Sequence, residues 1–124
     1  MSASSEVTRV LGPLEAEVMN VLWAAGGPLS VRAVLDELNA GRDPALAYTT
    51  VMTVLARLAE KGILLRERNG RGYSYRPALP DVASIAVRGV VRDFGEAAVA
   101  GFVDEARADP RLLRRLQKLL DEPS

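Results

Sequence analysis

The stretch AYTTVMTVLARLAEKGILLRERNGRGYSYRP, Ala47 to Pro77, decides how this chain folds. Val51, Val54, Leu55 and Leu58 recur at three- and four-residue spacing, which predicts a helix from about Ala47 to Lys61 with Gly62 as its stop. Ile63 to Arg68 and Gly72 to Arg76 then read as strands around Asn69-Gly70-Arg71-Gly72, a four-residue loop that suits a hairpin less well than a two-residue one. Pro77 excludes a long continuation. A helix running straight into a small hairpin is the pattern of a winged helix-turn-helix, and it points to double-stranded DNA as ligand.

With Val51, Val54, Leu55 and Leu58 turned inward at about 100° per residue, the opposite side carries Thr49, Thr53, Ala56 and Glu60, flanked by Thr50, Met52 and Arg57. Thr can hydrogen-bond a base edge or a phosphate, its methyl can touch thymine, and a small residue such as Ala56 allows close approach in a major groove. Thr is a poor helix former, so three within five residues suggest a use beyond a solvated face. Arg71, with Gly on either side at the hairpin tip, can reach a phosphate or the minor groove; it equally suits a charged loop tip kept for solubility. Tyr73 and Tyr75 share one face of the second strand and are assigned to structure, with one hydroxyl at most near a DNA backbone.

Working outward, residues 1–11 read as a flexible arm, and Gly12-Pro13 starts a helix whose stripe is Leu14, Val18, Val21 and Leu22. Gly26-Gly27 stops it. Ser30 caps a second helix that turns Val31, Val34, Leu35 and Leu38 inward and ends near Asn39 to Gly41. Beyond the hairpin, Pro80-Asp81 opens a looser helical stretch that continues across Gly95. Asp109-Pro110 starts a last helix with Leu112, Leu113, Leu116, Leu119 and Leu120 on one face.

Composition narrows the chemistry. The chain has 124 residues, no Cys and no His, so disulfides, thiolate metal sites and imidazole catalysis are excluded; no catalytic residue, metal or cofactor is expected. Formal net charge is zero, but Arg57, Lys61, Arg66, Arg68, Arg71 and Arg76 face only Glu60 and Glu67 between residues 57 and 76. No run of about 18 apolar residues suggests a membrane span and the N-terminus lacks a signal-peptide pattern, so a cytoplasmic location is expected.

Residues 12–78 suffice for a winged-helix DNA-binding domain, which leaves 79–124 to bury apolar faces elsewhere. The economical solution is a homodimer through this helical region, which would present two recognition helices to a pseudo-palindromic operator. The helices folding back on their own domain is the alternative. The expected fold is therefore mainly α with a small β-hairpin wing: a winged helix-turn-helix plus a C-terminal helical dimerisation region.

Leu14-Glu15-Ala16-Glu17-Val18-Met19 with Leu22-Trp23, Tyr48-Thr49-Thr50-Val51-Met52-Thr53-Val54-Leu55 with Arg57-Leu58 and Lys61-Gly62, and a wing with Gly70, Arg71, Tyr73 and Tyr75 resemble the BlaI/MecI/CopY family of bacterial repressors over residues 12–120. The resemblance implies a dimeric, non-enzymatic winged-helix repressor. Tyr48, Thr49, Thr50, Thr53, Arg57, Lys61 and Arg71 would form its DNA contacts, and Val99, Phe102 and Val103 would join the leucines of the last helix in dimerisation. In the penicillinase-repressor branch, a sensor-linked metalloprotease signals inactivation and the dimerisation region is cut before a Phe. Gly101-Phe102 stands at the matching place, with Gly101 where that branch has Asn. Phe102 also fits a dimer-core aromatic, and both roles can hold. The copper-responsive branch needs Cys, absent here. A winged helix that binds a protein partner through the Thr-rich surface is the other functional class left open.

Overall fold

The computed structural model describes residues 10–123 and divides into two compact units, the first reaching Ile85 and the second starting at Ala86. The elements in order are α1 (Pro13–Ala25), β1 (Leu29–Ser30), α2 (Val31–Asn39), α3 (Tyr48–Glu60), β2 (Leu64–Asn69), β3 (Gly72–Pro77), α4 (Val82–Phe94), α5 (Glu96–Ala108) and α6 (Pro110–Asp121). Six described helices and one small sheet give the mainly α winged-helix architecture read from the sequence.

Local signals set the helix ends. Pro13 occupies the first turn of α1, and the Glu15 carboxylate accepts the Gly12 backbone N–H at 3.3 Å. The Ser30 hydroxyl accepts from the Ala33 N–H at 3.1 Å and caps α2. Asp81 accepts from the Ser84 N–H at 2.8 Å at the head of α4, and these hydrogen bonds hold its carboxyl below the ordinary aspartate pKa. Asp109 accepts from the Arg111 N–H at 2.9 Å and starts α6.

The core of the first unit takes Val31, Val34, Leu35 and Leu38 from α2, and Val51, Leu55 and Leu58 from α3, with Val54 half-buried beside them. On α1 the buried arc lies further round the helix than the expected stripe. Ala16 and Met19 join Val18 and Leu22 inside, while Leu14 and Val21 stay half-buried, because α1 packs on α2, α3 and β3 together. Burying leucine- or methionine-sized side chains contributes about 1.5–3 kcal/mol each. The Trp23 indole N–H donates to the Leu79 carbonyl at 3.0 Å, fastening the segment after β3 to α1.

Three expectations are corrected. Leu11, placed in the flexible arm, is buried in the core; residues 1–9 of that arm lie outside the described residues. The hairpin loop is tighter than expected: Asn69 pairs with Gly72, so only Gly70 and Arg71 turn. Gly70 has φ 64° while Arg71 stays at negative φ, the arrangement of a type II′ turn, whose twist matches that of paired strands. The stretch beyond Pro80 breaks in two at Gly95, which adopts φ 57°, whereas Gly89 and Gly101 sit inside α4 and α5.

The sheet order is β1-β3-β2, all antiparallel, with Leu29 opposite Tyr75 and Ser30 opposite Ser74. β1 escapes sequence reading because two residues have no period. Val82 and Ile85 pack on the core of the first unit, which therefore extends past residue 78. In the second unit α5 and α6 pack on each other, burying Ala98 and Ala106, and α6 buries none of its side chains.

Candidate nucleic-acid interface

α3 presents its Thr-rich face from a fixed start because the turn before it is tied down. Asn39, the last residue of α2, donates from Nδ2 to the Leu46 carbonyl at 3.1 Å and accepts the Leu46 N–H on Oδ1 at 2.8 Å. Arg42 donates from Nε to the Leu38 carbonyl at 3.2 Å and pairs through its guanidinium with Glu17 of α1. With Leu46 half-buried against the core, the chain enters α3 at a set point two residues later. Sequence reading passed over Asn39 and Arg42, since nothing local shows that a side chain at one helix end will pair with backbone seven residues on.

On α3 itself Thr49, Thr53 and Arg57 are exposed at four-residue spacing, and Thr50 is exposed beside them. Tyr48 and Met52 are exposed on the flank, and Ala56 is half-buried. The row offers hydroxyl donors and acceptors, methyl groups and, one turn further along, a guanidinium. Arg57 has no carboxylate partner among the described residues, nor has Arg71 at the wing tip.

Lys61 is differently placed. It ends α3 and its Nζ lies 3.4 Å from Glu15 Oε2 of α1. An exposed pair of this kind is worth at most about 1 kcal/mol, so a phosphate can compete for the ammonium. Arg32 was missed from sequence. It lies in the first turn of α2 with its Cζ 5.5 Å from the centre of the Tyr48 ring, which brings a cation to the start of α3. Its basic character two residues after the Ser30 cap was the available signal.

The hairpin divides its two aromatics. Tyr75 is buried, whereas Tyr73, assigned to structure with it, is 38% exposed and lies against arginines. Arg66 Cζ sits 4.4 Å and Arg68 Cζ 5.9 Å from the Tyr73 ring centre. The two tyrosines do share a face, but β3 outruns the core between them. Arg76, counted with the basic excess, is paired with Glu67 at 3.2 Å.

The residues expected to dimerise lie in the second unit. Val99, Phe102, Leu112, Leu119 and Leu120 are exposed, Leu120 to 75%, and Val103, Leu113 and Leu116 are half-buried. Gly101 and Phe102 are both exposed within α5. Among the described residues no group of acidic side chains could hold a metal ion, and no helix is long and apolar enough to cross a membrane.

The family model described as penicillinase repressor matches residues 11–122. The transcriptional regulator BlaI of Mycobacterium tuberculosis is 43% identical over 112 residues, covering 85% of this chain and 79% of that protein. An uncharacterised 16.5 kDa protein in the ptsI 3′ region of Latilactobacillus sakei is 31% identical over 81 residues, covering 65% of this chain and 53% of its own. Among solved structures, the archaeal chromatin protein TrmBL2 superposes with TM-score 0.52 at 22% identity over 98% of this chain and 46% of its own. The Helicobacter pylori ferric uptake regulator Fur gives TM-score 0.52 at 20% identity over 63% of this chain and 59% of that one. These two likenesses concern the fold.

Proposed function

The chain belongs to the penicillinase repressor family and is a transcriptional repressor rather than an enzyme, and we propose that it acts as a homodimer on a pseudo-palindromic operator. The observation that carries the reading is the exposed row Thr49, Thr53 and Arg57 on α3, with Thr50 beside it and, at its end, a guanidinium with no carboxylate partner among the described residues.

In this reading α3 enters the major groove, where Thr49, Thr50 and Thr53 meet base edges and Tyr48 lies beside them. Arg57, Lys61 and Arg71 contact phosphate, and Arg32 adds a further cation at the Tyr48 end. Neutralised phosphates release counterions, so affinity falls steeply with salt. Thr53→Ala should relax base preference at one position of each half-site. Arg71→Ala should weaken all sequences alike and reduce the salt slope by about one. Binding to a selected duplex, measured with these two variants over a salt series, tests the assignment; equal, salt-independent losses from both would defeat it.

The homodimer rests on the apolar face of α6 together with Val99, Phe102 and Val103, none of which is buried within the chain. Light scattering on the eluting protein should give twice the chain mass, and Leu116→Glu should give the single mass. A monomer for the unsubstituted chain at micromolar concentration would reject the dimer. Derepression by cutting at Gly101–Phe102, through a sensor-linked metalloprotease, is the regulatory part of the proposal. It is supported by exposure of both residues and by the helix weakening of about 1 kcal/mol that glycine brings to α5. Mass spectrometry of the protein from induced cells would reveal the two fragments, and an intact chain during full derepression would discard this route.

A further inference from the structure

Along its strands, apart from Arg71 at the tip, the wing keeps its unpaired arginines on one face. We propose that Arg66 and Arg68, laid against Tyr73, form a preassembled clamp for the phosphate backbone of duplex DNA beside the bases met by α3, with Tyr73 as positioning residue. The proposal rests on the DNA-binding reading above and extends it.

The strand register produces the cluster. Arg68 is directly opposite Tyr73, and Arg66, opposite Tyr75, is its diagonal neighbour on the same face. Both guanidiniums reach the ring, at 4.4 Å and 5.9 Å from its centre. Neither is paired with a carboxylate among the described residues. The reverse face is neutralised instead, since Glu67 and Arg76 pair there at 3.2 Å. Strand alternation also gives the basic face a direction: nearer the base of the hairpin it is the side that buries Leu64 and Tyr75 in the core.

A guanidinium lying on an aromatic ring spends its flat face on the contact and keeps its N–H edge for other acceptors. Two such edges with no carboxylate between them suit the oxygens of a phosphodiester backbone, which accept charge-assisted hydrogen bonds from arginine. A long side chain ordered before binding loses less rotamer freedom when phosphate arrives. The ring face that holds Arg66 is not open to a base, so on that face Tyr73 supports a cation instead of stacking.

The test compares the full chain with Arg66→Ala/Arg68→Ala, Tyr73→Phe, Tyr73→Ala and the triple variant. The probes are a duplex selected by the unsubstituted protein from a random library and a random duplex of equal length. Removing both arginines should flatten the salt slope by about two on both duplexes and leave base preference unchanged. Tyr73→Ala should weaken binding about two- to fivefold, the size of an exposed cation–π contact, with the slope retained. Tyr73→Phe should bind like the unsubstituted protein, and Tyr73→Ala added to the arginine pair should cost nothing more. An unchanged slope without the arginines, while the unsubstituted protein still selects a duplex, overturns the clamp and leaves the DNA-binding reading standing. An additive loss from Tyr73→Ala overturns its positioning role. Failure of the unsubstituted protein to bind any duplex at low salt overturns both. Thermal melting of each variant separates these outcomes from unfolding, and the exposed arginine pair keeps the clamp testable if Tyr73→Ala does not fold.

Discussion

Asn39→Ala removes the clamp that delivers the chain into α3. The side chain makes two hydrogen bonds to Leu46, at 3.1 Å to its carbonyl and 2.8 Å from its N–H. Each such bond contributes about 0.5–1.5 kcal/mol net, and both are only part-buried, so water can replace some of the loss; the expected destabilisation is about 1–2 kcal/mol. For a domain of this size the melting temperature should drop by roughly 5–15 °C. If DNA must then re-order the turn, about 1 kcal/mol of binding free energy is diverted, close to fivefold in affinity. Urea denaturation and titration of a selected duplex measure the two effects. Asn39→Asp serves as a second probe: it retains an acceptor for the Leu46 N–H but sets a carboxylate oxygen against the Leu46 carbonyl, acceptor facing acceptor, so it should recover little of the lost stability. A stability change below about 0.5 kcal/mol with unaltered affinity would refute the idea that Asn39 sets the start of α3.

Three further outcomes are expected. Met19→Ala empties a fully buried site on α1 and should cost about 2–5 kcal/mol in urea denaturation, whereas Leu14→Ala, at a half-buried site, should cost clearly less; equal losses would contradict the packing of α1. Gly70→Ala meets no atom within 4 Å, so its cost comes from φ 64° alone and should be about 1–2 kcal/mol by the same denaturation, with an unchanged value arguing against the type II′ turn. The Asp81 carboxyl is held below its ordinary pKa by hydrogen bonds to Ser84. Its charged-state stabilisation is thus present above the ordinary aspartate pKa and lost as pH falls through the lower folded value. Asp81→Asn, which can still cap, should remove that part of the acid-side slope and leave the rest; an unaltered slope would show that Asp81 does not contribute it.

Helix content was legible because it depends on short-range rules. The periodicity of Val31, Val34, Leu35 and Leu38, the Ser30 cap and the Val51, Leu55 and Leu58 stripe each act within one or two turns, and the structure buries those residues as read. The hairpin was legible for the same reason, although its loop length was not. Whether four residues turn or two depends on whether Asn69 pairs with Gly72, and only the partner strand decides that. The Thr row on α3 could likewise be read from spacing, since exposure on a helix is the complement of a buried stripe.

Pairings across the chain escaped. Lys61 looked like a bare cation and stands beside Glu15, separated by 46 residues. Arg76 counted toward a basic patch and pairs with Glu67 through strand register. Tyr73 and Tyr75 are equivalent in sequence, two residues apart on one strand face, yet one is core and the other carries arginines because the core ends between them. Residue order and local chemistry were enough for most of the helices, the hairpin and the exposed Thr row. Charge pairing, the depth of each aromatic and the anchoring of Leu46 by Asn39 required the tertiary structure, because those free energies depend on distances between segments that no local pattern encodes.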